Sequence, residues 1–228
     1  MKLSSKMFSC VVFASALFVA QGFASEMPKV DILYPPGGSL LDRFCESDLK
    51  IPIDGEKVQE TVRRREQFQE QWNSEGPSYM STALAQIGLE FPYREVQATL
   101  TVCLPVSTSI PLVVDAKPFL HSAERPAPPW EFSEVVFHEL MHLYVSPVFG
   151  TSALMHKYRN DPPTTRYHLH VMAMEKLVLL KLNRVDELKV IDHDYRSGPD
   201  PAYKRAWEIV NDIEDYQSFI DELRSLKK

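Results

Sequence analysis

The chain has 228 residues, of which 44% are hydrophobic and 25% charged, which is typical of a globular domain with a sizeable core and not of disordered or fibrous proteins. Its formal net charge of −6 argues against the basic surface that nucleic-acid binding requires. The basic cluster Arg63-Arg64-Arg65 is bracketed by glutamates, which is typical of a solvated helix face and not of a site for anionic lipid. We therefore expect no nucleic acid as a partner.

Residues 1–24 have the pattern of a secretory signal peptide. Lys2 and Lys6 precede an uncharged apolar run, and small residues follow at the positions that a signal peptidase inspects. The run is shorter than the roughly 20 residues that span a bilayer, which argues against a retained membrane anchor. We predict one exported domain at 25–228, periplasmic or extracellular and not inserted in the membrane after cleavage. It keeps 23 of the 25 basic residues against 31 acidic ones, a net charge of −8.

Cys45 and Cys103 are the cysteines that remain in the exported part, because Cys10 lies in the signal peptide. An isolated pair in an oxidising compartment suggests one disulfide. Two free buried thiols are the alternative.

The first half of the exported part is predicted to be irregular and then helical. Residues 26–52 contain a proline and glycine turn and carry no clear period. Residues 54–74 are rich in helix formers and predict a long, mostly exposed helix that Gly76-Pro77 stops. A second, shorter helix is predicted at 78–88, where it ends in a glycine.

Two strands are predicted next. Apolar and polar residues alternate over residues 94–104, as in a half-buried strand. The run 111–120 predicts a second strand, which Pro111 and Pro118 would confine to a sheet edge. Such an edge near 111–116 could hold an extended peptide by backbone pairing.

The stretch VVFHELMHLYV, residues 135–145, predicts a buried helix with a metal-binding face. Residues four apart lie on one face of a helix, so His138 and His142 can bind one ion. Glu139 is displaced by about 100° and lies beside the ion, where a general base for a water molecule belongs. Because the other residues of the stretch are apolar, these polar groups would be buried and would need partners. Satisfied core histidines are the alternative interpretation.

This motif, with uncharged residues around it, resembles the signature of the zincin metallopeptidases. The resemblance implies a zinc-dependent peptidase with an α+β fold, in which a small sheet with an edge strand packs on the active-site helix and the C-terminal part is helical. No glycine-containing extension with a third histidine follows His142, as metzincins would require. The resemblance is therefore to gluzincins, whose third ligand is a glutamate on a later helix.

The predicted helix 164–182 offers three possible third ligands. With His168 set at 0°, Glu175 falls at about 340°, in the middle of an apolar face, and His170 at about 200°, next to Lys181. A buried carboxylate needs a cation or a metal, so burial favours Glu175 as the ligand, with an arginine partner as the alternative. His170 is expected to be an ordinary residue.

His168 lies on the face of Glu175 but roughly 10 Å along the axis, whereas zinc bonds are only about 2 Å long. Both side chains can hardly bind the same ion. His168 is therefore either the alternative third ligand, with Glu175 outside the ligand set, or a residue that lines the cleft, which we favour.

A polar segment before the last helices supplies candidate donors to an oxyanion. Metallopeptidases of this type often use a histidine or tyrosine for that purpose, and His193 and Tyr195 are the candidates. Residues 201–213 and 216–226 predict amphipathic helices that close the domain. Their expected core residues are Trp207, Ile209 and Phe219.

Together these features predict an exported zinc metallopeptidase that acts on a peptide or protein substrate. Zn²⁺ would be bound by His138, His142 and Glu175, with Glu139 as general base. A non-catalytic zincin-like binding or scaffold protein of the cell envelope is the alternative, although the intact Glu139 argues against it. A structural zinc site is disfavoured, because such sites usually fill all four positions with cysteine and histidine, and the cysteines lie far from the motif in sequence.

Overall fold

The computed structural model describes residues 27–103 and 107–226, and over these residues the fold is α+β with a small mixed sheet. The predicted signal peptide at 1–24 lies outside the described residues. Within them, no helix combines the length and the apolar character needed to cross a membrane.

The sheet has four strands in the order β1-β2-β4-β3. β1 and β4 both run parallel to β2, with Ile32 opposite Ala98 and Leu100 opposite Val114, while β3 is antiparallel to β4. The strands are β1 (Lys29–Leu33), β2 (Glu95–Thr101), β3 (Thr108–Ser109) and β4 (Leu112–Asp115).

The strand predicted within 94–104 is confirmed as β2, whereas the edge position predicted for the strand at 111–120 is wrong. That strand is β4, which lies between β2 and β3. Pro111 precedes it and Pro118 lies in a 3₁₀ turn after it, so neither proline removes a donor from the sheet. The edges are β1 and the very short β3.

Helices make up most of the remaining chain. They are α1 (Leu40–Ser47), α2 (Gly55–Ile87), α3 (Pro129–Val145), α4 (Ala153–Lys157), α5 (Pro163–Lys181), α6 (Val185–Ser197), α7 (Pro201–Glu208) and α8 (Tyr216–Ser225). The start of α3 at Pro129 and the C-terminal helices are as predicted. The segment 26–52 was expected to be irregular but contains β1 and α1, and the polar segment expected before the last helices is itself helical, as α6.

The predicted break at Gly76-Pro77 is also wrong, because α2 runs through it as one helix of 33 residues. Pro77 removes one backbone hydrogen bond, and a helix tolerates this loss where tertiary packing holds both halves. Gly76 is buried against Trp72. A Cβ at position 76 would lie 2.5 Å from ring carbons of Trp72. The helix ends where predicted, at Gly88, which adopts the left-handed conformation with φ 75°.

The core lies between the sheet and the central helices α3 and α5, which pack against each other and against α2. The three expected core residues Trp207, Ile209 and Phe219 are buried, as predicted. Cys45 of α1 and Cys103 after β2 form the predicted disulfide. The candidate site therefore lies on α3 and α5, the two central helices.

Candidate metal centre and cleft

Three imidazole rings from α3 and α5 meet through their Nε2 atoms. His142 Nε2 lies 3.1 Å from His138 Nε2 and 3.3 Å from His168 Nε2. A tetrahedral zinc ion with Zn–N bonds of about 2.05 Å holds its nitrogen ligands about 3.3 Å apart. Both distances from His142 Nε2 are therefore close to the spacing of zinc ligands, and the ligand atoms of all three residues lie within 4.8 Å of one another.

The other ring nitrogens of two of these residues are held by acceptors. His138 Nδ1 lies 2.5 Å from Glu175 Oε1, and His168 Nδ1 lies 2.7 Å from the carbonyl oxygen of Thr164. Because the carbonyl accepts only, His168 Nδ1 carries the hydrogen, and its Nε2 offers a lone pair to the centre. The carboxylate favours the same tautomer of His138. Such contacts behind a ligand are typical of metal-binding histidines.

The convergence of Nε2 atoms favours His168, the alternative third ligand, over Glu175. Glu175 lies behind His138, on the far side of its ring from His142. His168 and Glu175 are two turns apart on α5, as the helical wheel requires. The His138 ring lies between them, with one nitrogen toward each. Glu175 therefore holds the His138 ring from behind, and its partner is a histidine instead of an arginine.

A second group of close side chains, Glu134, His138 and Glu175, also has the residue types of a metal site. The carboxyl groups of Glu134 and Glu175 interact with each other, and His138 meets this group through its hydrogen-bonded Nδ1. Burial and the neighbouring carboxylate raise the pKa of Glu134 well above its usual range, and burial raises that of Glu175. A proton shared between the two carboxyl groups holds them together without a metal and leaves Glu134 Oε1 without a hydrogen-bond partner, so we favour the three-histidine centre.

The electrostatics of the three-histidine centre suit metal binding. Burial, together with the neighbouring histidines, lowers the pKa of His142 to about 2 and that of His168 to about 3. Both rings are therefore neutral at neutral pH, which is the form that binds a metal.

Glu139 is buried beside the three rings. Burial raises the pKa of its carboxyl group, the proximity of His138 opposes the shift, and Glu134 adds to it. A carboxylate tuned upward in this way is better suited to take and return a proton at neutral pH than an exposed glutamate.

The three rings lie where two cavities adjoin, with volumes of about 400 and 460 Å³. His138 faces the first cavity, and His142 and His168 face the second. Glu139 and Tyr203 line both, so they lie at the junction. The edge strand that flanks the cleft is β3, in place of the expected 111–116 segment.

Tyr195 and His193, the two expected oxyanion donors, both lie on α6 but have different surroundings. Tyr195 OH donates to Glu175 at 3.1 Å and lies 3.4 Å from His138 Nδ1, so it belongs to the group behind the ligand. Burial raises its pKa well above the usual value, and the phenol stays protonated. His193 is exposed on the same helix and lines neither cavity.

Tyr203 and Glu134 are parts of the site that sequence reasoning did not select. The Tyr203 ring centroid lies 4.1 Å from that of His168, and the ring is nearly parallel to His138, at 6.3 Å. Glu134 precedes His138 by four residues, so helical spacing alone could have placed it next to the ligand. Nothing in the local sequence marks Tyr203, whose position depends on how α7 packs on α5.

His170 was expected on a face of α5 that tolerates charge, but its side chain is fully buried, at 0% exposure. Helix α8 covers that face, and His170 Nε2 lies 2.7 Å from Glu222 Oε2. The residue has no contact with the metal centre, in line with the ordinary role expected for it.

Comparison with protein-family models, curated proteins and solved structures gives no match for this chain.

Proposed function

We propose that this protein is an exported zinc-dependent metallopeptidase with a zincin-like fold. One observation carries the proposal: the Nε2 atoms of His138, His142 and His168 converge at the junction of a cleft, with the Glu139 carboxylate beside them. A His-Glu-x-x-His helix alone would supply two ligands, and α5 supplies the third.

The donor set suits zinc in a catalytic site. Imidazoles are typical zinc ligands, and three protein ligands leave a fourth position open, unlike the closed set of a structural site. The proposed ligands are His138, His142 and His168, with Glu175 orienting His138. A histidine as third ligand departs from the gluzincin pattern, so the proposal keeps the broader zincin resemblance only.

The chain's own residues have distinct parts in the proposed hydrolysis. Bound zinc would act as a Lewis acid and lower the pKa of a water molecule. Glu139 would take a proton from the attacking water molecule while the water oxygen bonds to the peptide carbonyl carbon, and it would return that proton to the amine nitrogen as the C–N bond breaks. Tyr203, at the junction of the cavities, is the nearest candidate to donate a hydrogen bond to the developing oxyanion.

Two further features support a peptide substrate and export. Among the described strands β3 is an edge of the sheet beside the cleft, and an extended peptide can pair with such an edge through its backbone. The Cys45–Cys103 disulfide is typical of proteins that leave the cytosol.

Replacing Glu139 with glutamine tests the proposal, because glutamine keeps the size of the side chain but cannot act as a base. We expect the Glu139→Gln variant to fold and bind zinc as the wild type does, while its hydrolysis of a broad peptide library falls at least about a hundredfold. Glu70→Gln, on the exposed face of α2, is the matched control and should hydrolyse normally.

Two results would reject catalysis by this helix. One is equal hydrolysis by the wild type and the Glu139→Gln variant. The other is a zinc-loaded wild type that hydrolyses nothing in the library, which would support the alternative of a zincin-like binding or scaffold protein. Absence of zinc from gently purified protein would remove the premise on which both of these results are interpreted.

A further inference from the structure

The two cavities that meet at the metal centre differ in charge. The first, which we call the acidic pocket, is lined by Glu131, Glu134, Glu139, Asp194 and Asp200. In the second, which we call the neutral pocket, Glu139 at the junction is the only acidic residue among the described lining residues. The neutral pocket is otherwise lined by hydroxyl, apolar and aromatic side chains and by two of the proposed metal ligands.

Among its described lining residues the acidic pocket has one histidine, His138, but no lysine or arginine to balance its carboxylates. None of its carboxylates forms an ion pair with a lysine or arginine within the described chain. Arg196 on the same helix as Asp194 is already bound, since it pairs with Asp192 and Asp212 at 2.8 Å. Glu131, Asp194 and Asp200 therefore have no lysine or arginine partner in the described chain, whereas the neighbouring Asp192 and Asp212 are paired.

Two carboxyl groups in the acidic pocket are only partly satisfied. Glu134 is only 8% exposed, and its Oε1 atom has no hydrogen-bond partner. Burial and repulsion by Asp194 raise the pKa of Glu131, as expected where two carboxylates approach without a cation between them. Buried polar atoms without partners are rare in proteins, and a bound water, ion or ligand group is one explanation for them.

The shape of the acidic pocket favours an organic cation over a metal ion. Glu131, Asp194 and Asp200 belong to neither of the described side-chain groups that are close enough to hold one ion. The aromatic rings of Trp130, Tyr195 and Tyr203 also line the pocket, and aromatic faces attract ammonium and guanidinium groups. At about 400 Å³ the pocket can admit a long side chain.

We propose that the acidic pocket binds a cationic group of the peptide substrate, on one side of the bond that is cleaved, while the neutral pocket takes an uncharged residue on the other side. The cation is an ammonium or guanidinium group, from a lysine or arginine side chain or from a free peptide N-terminus. This inference rests on the proposed peptidase function, since it names the substrates of that same site.

Matched peptides test the proposal on the zinc-loaded wild type. A fluorogenic peptide that the enzyme cleaves is prepared with Lys, Gln or Glu at each position flanking the cleaved bond, with its N-terminus free or acetylated. At the best position Lys should exceed Glu in kcat/KM by about tenfold at low salt, because an ion-pair attraction for Lys and a like-charge repulsion for Glu add up, and by less at 0.5 M NaCl. An advantage that survives acetylation assigns the cation to the side chain, and one that acetylation abolishes assigns it to the N-terminus.

Charge removal from the pocket supplies the control. In the double variant Glu131→Gln, Asp194→Asn the preference for Lys should fall to about twofold or less, whereas Glu70→Gln should keep it. Equal kcat/KM for Lys and Glu peptides at every position, whether the N-terminus is free or acetylated, would overturn the proposal. A preference that the double variant leaves unchanged would also overturn it.

A binding measurement separates this proposal from the peptidase proposal. Fluorescence anisotropy of dye-labelled Lys and Glu peptides is measured with the zinc-loaded Glu139→Gln protein, where about tenfold tighter binding of the Lys peptide is expected. The same difference, found in a protein whose wild type hydrolyses no peptide, would reject the peptidase and keep the cation pocket. Hydrolysis without any charge preference in rate or binding would do the reverse.

Discussion

Removal of the His168 imidazole should weaken zinc binding more than any change at Glu175. In the His168→Ala variant one of three converging Nε2 atoms is lost, whereas Glu175→Gln leaves all three in place and changes only the group that holds His138 Nδ1. The two variants therefore distinguish a ligand from a residue that orients one.

The expected magnitudes follow from the number of ligands. Structural zinc sites with four protein ligands bind zinc with about 10–16 kcal/mol, or about 2.5–4 kcal/mol per ligand, so His168→Ala should raise the dissociation constant by roughly 70- to 900-fold. Substitution of a residue that hydrogen-bonds a ligand typically raises it 10- to 100-fold. Glu175→Gln belongs at the low end of this second range, because the glutamine amide oxygen can still accept from His138.

Competition with a chromophoric chelator measures the zinc dissociation constant of each protein, and circular dichroism verifies the fold. His156→Ala is the matched control, since His156 is exposed on α4 and should have no effect on zinc binding. If Glu175→Gln weakens zinc binding as much as or more than His168→Ala, the three-histidine set is wrong and the carboxylate is the ligand. Unchanged binding in both variants would place the metal elsewhere.

Other predictions concern the stability of the fold. Cys103→Ser should lower the free energy of unfolding by about 4 kcal/mol in urea denaturation, because the disulfide with Cys45 closes a loop of 58 residues; a loss below 1 kcal/mol would contradict it. Gly76→Ala should destabilise by about 1–3 kcal/mol, since its Cβ would meet the Trp72 ring at 2.5 Å, instead of stabilising the helix as alanine usually does. Although burial favours the protonated acid, hydrogen bonds from a histidine, a serine and a backbone N–H lower the pKa of Glu222 from 4.5 to about 2. Its contribution of at most about 3 kcal/mol should be full above pH 4.5 and fall as the pH approaches 2, so wild-type stability should lose its advantage over the Glu222→Gln variant in that range.

The elements with a strong local period were predictable from the sequence. The alternation in β2 and the proline and cap residues that bound α3 are local signals, and they identified those elements correctly. The continuity of α2 through Pro77 was not predictable, because packing of its buried face against α3 and α5 overrides a local helix breaker. β1 was missed, although Val30 and Ile32 alternate with polar residues, since its period is short and it follows the predicted signal peptide.

The candidate site divides in the same way. His138, Glu139 and His142 follow from spacing on one helix. The choice between His168 and Glu175 does not, because burial arguments only show that both need partners. Which partner each one meets depends on the position of α5 along α3, and that is a property of tertiary packing.

The burial argument that favoured Glu175 as a ligand was right about the need for a partner and incomplete about which partners a core can offer. A buried carboxylate is stabilised by a metal, but it is also stabilised by a histidine N–H, a phenol and a second carboxyl group that keeps its proton. Glu175 has all three, from His138, Tyr195 and Glu134. These contacts fix the ring of a proposed ligand from behind, so the polar cluster in the core and the cleft in front of it form one structure. For a buried glutamate one helix away from a His-Glu-x-x-His motif, support of a ligand is therefore an alternative to be weighed equally with direct metal binding.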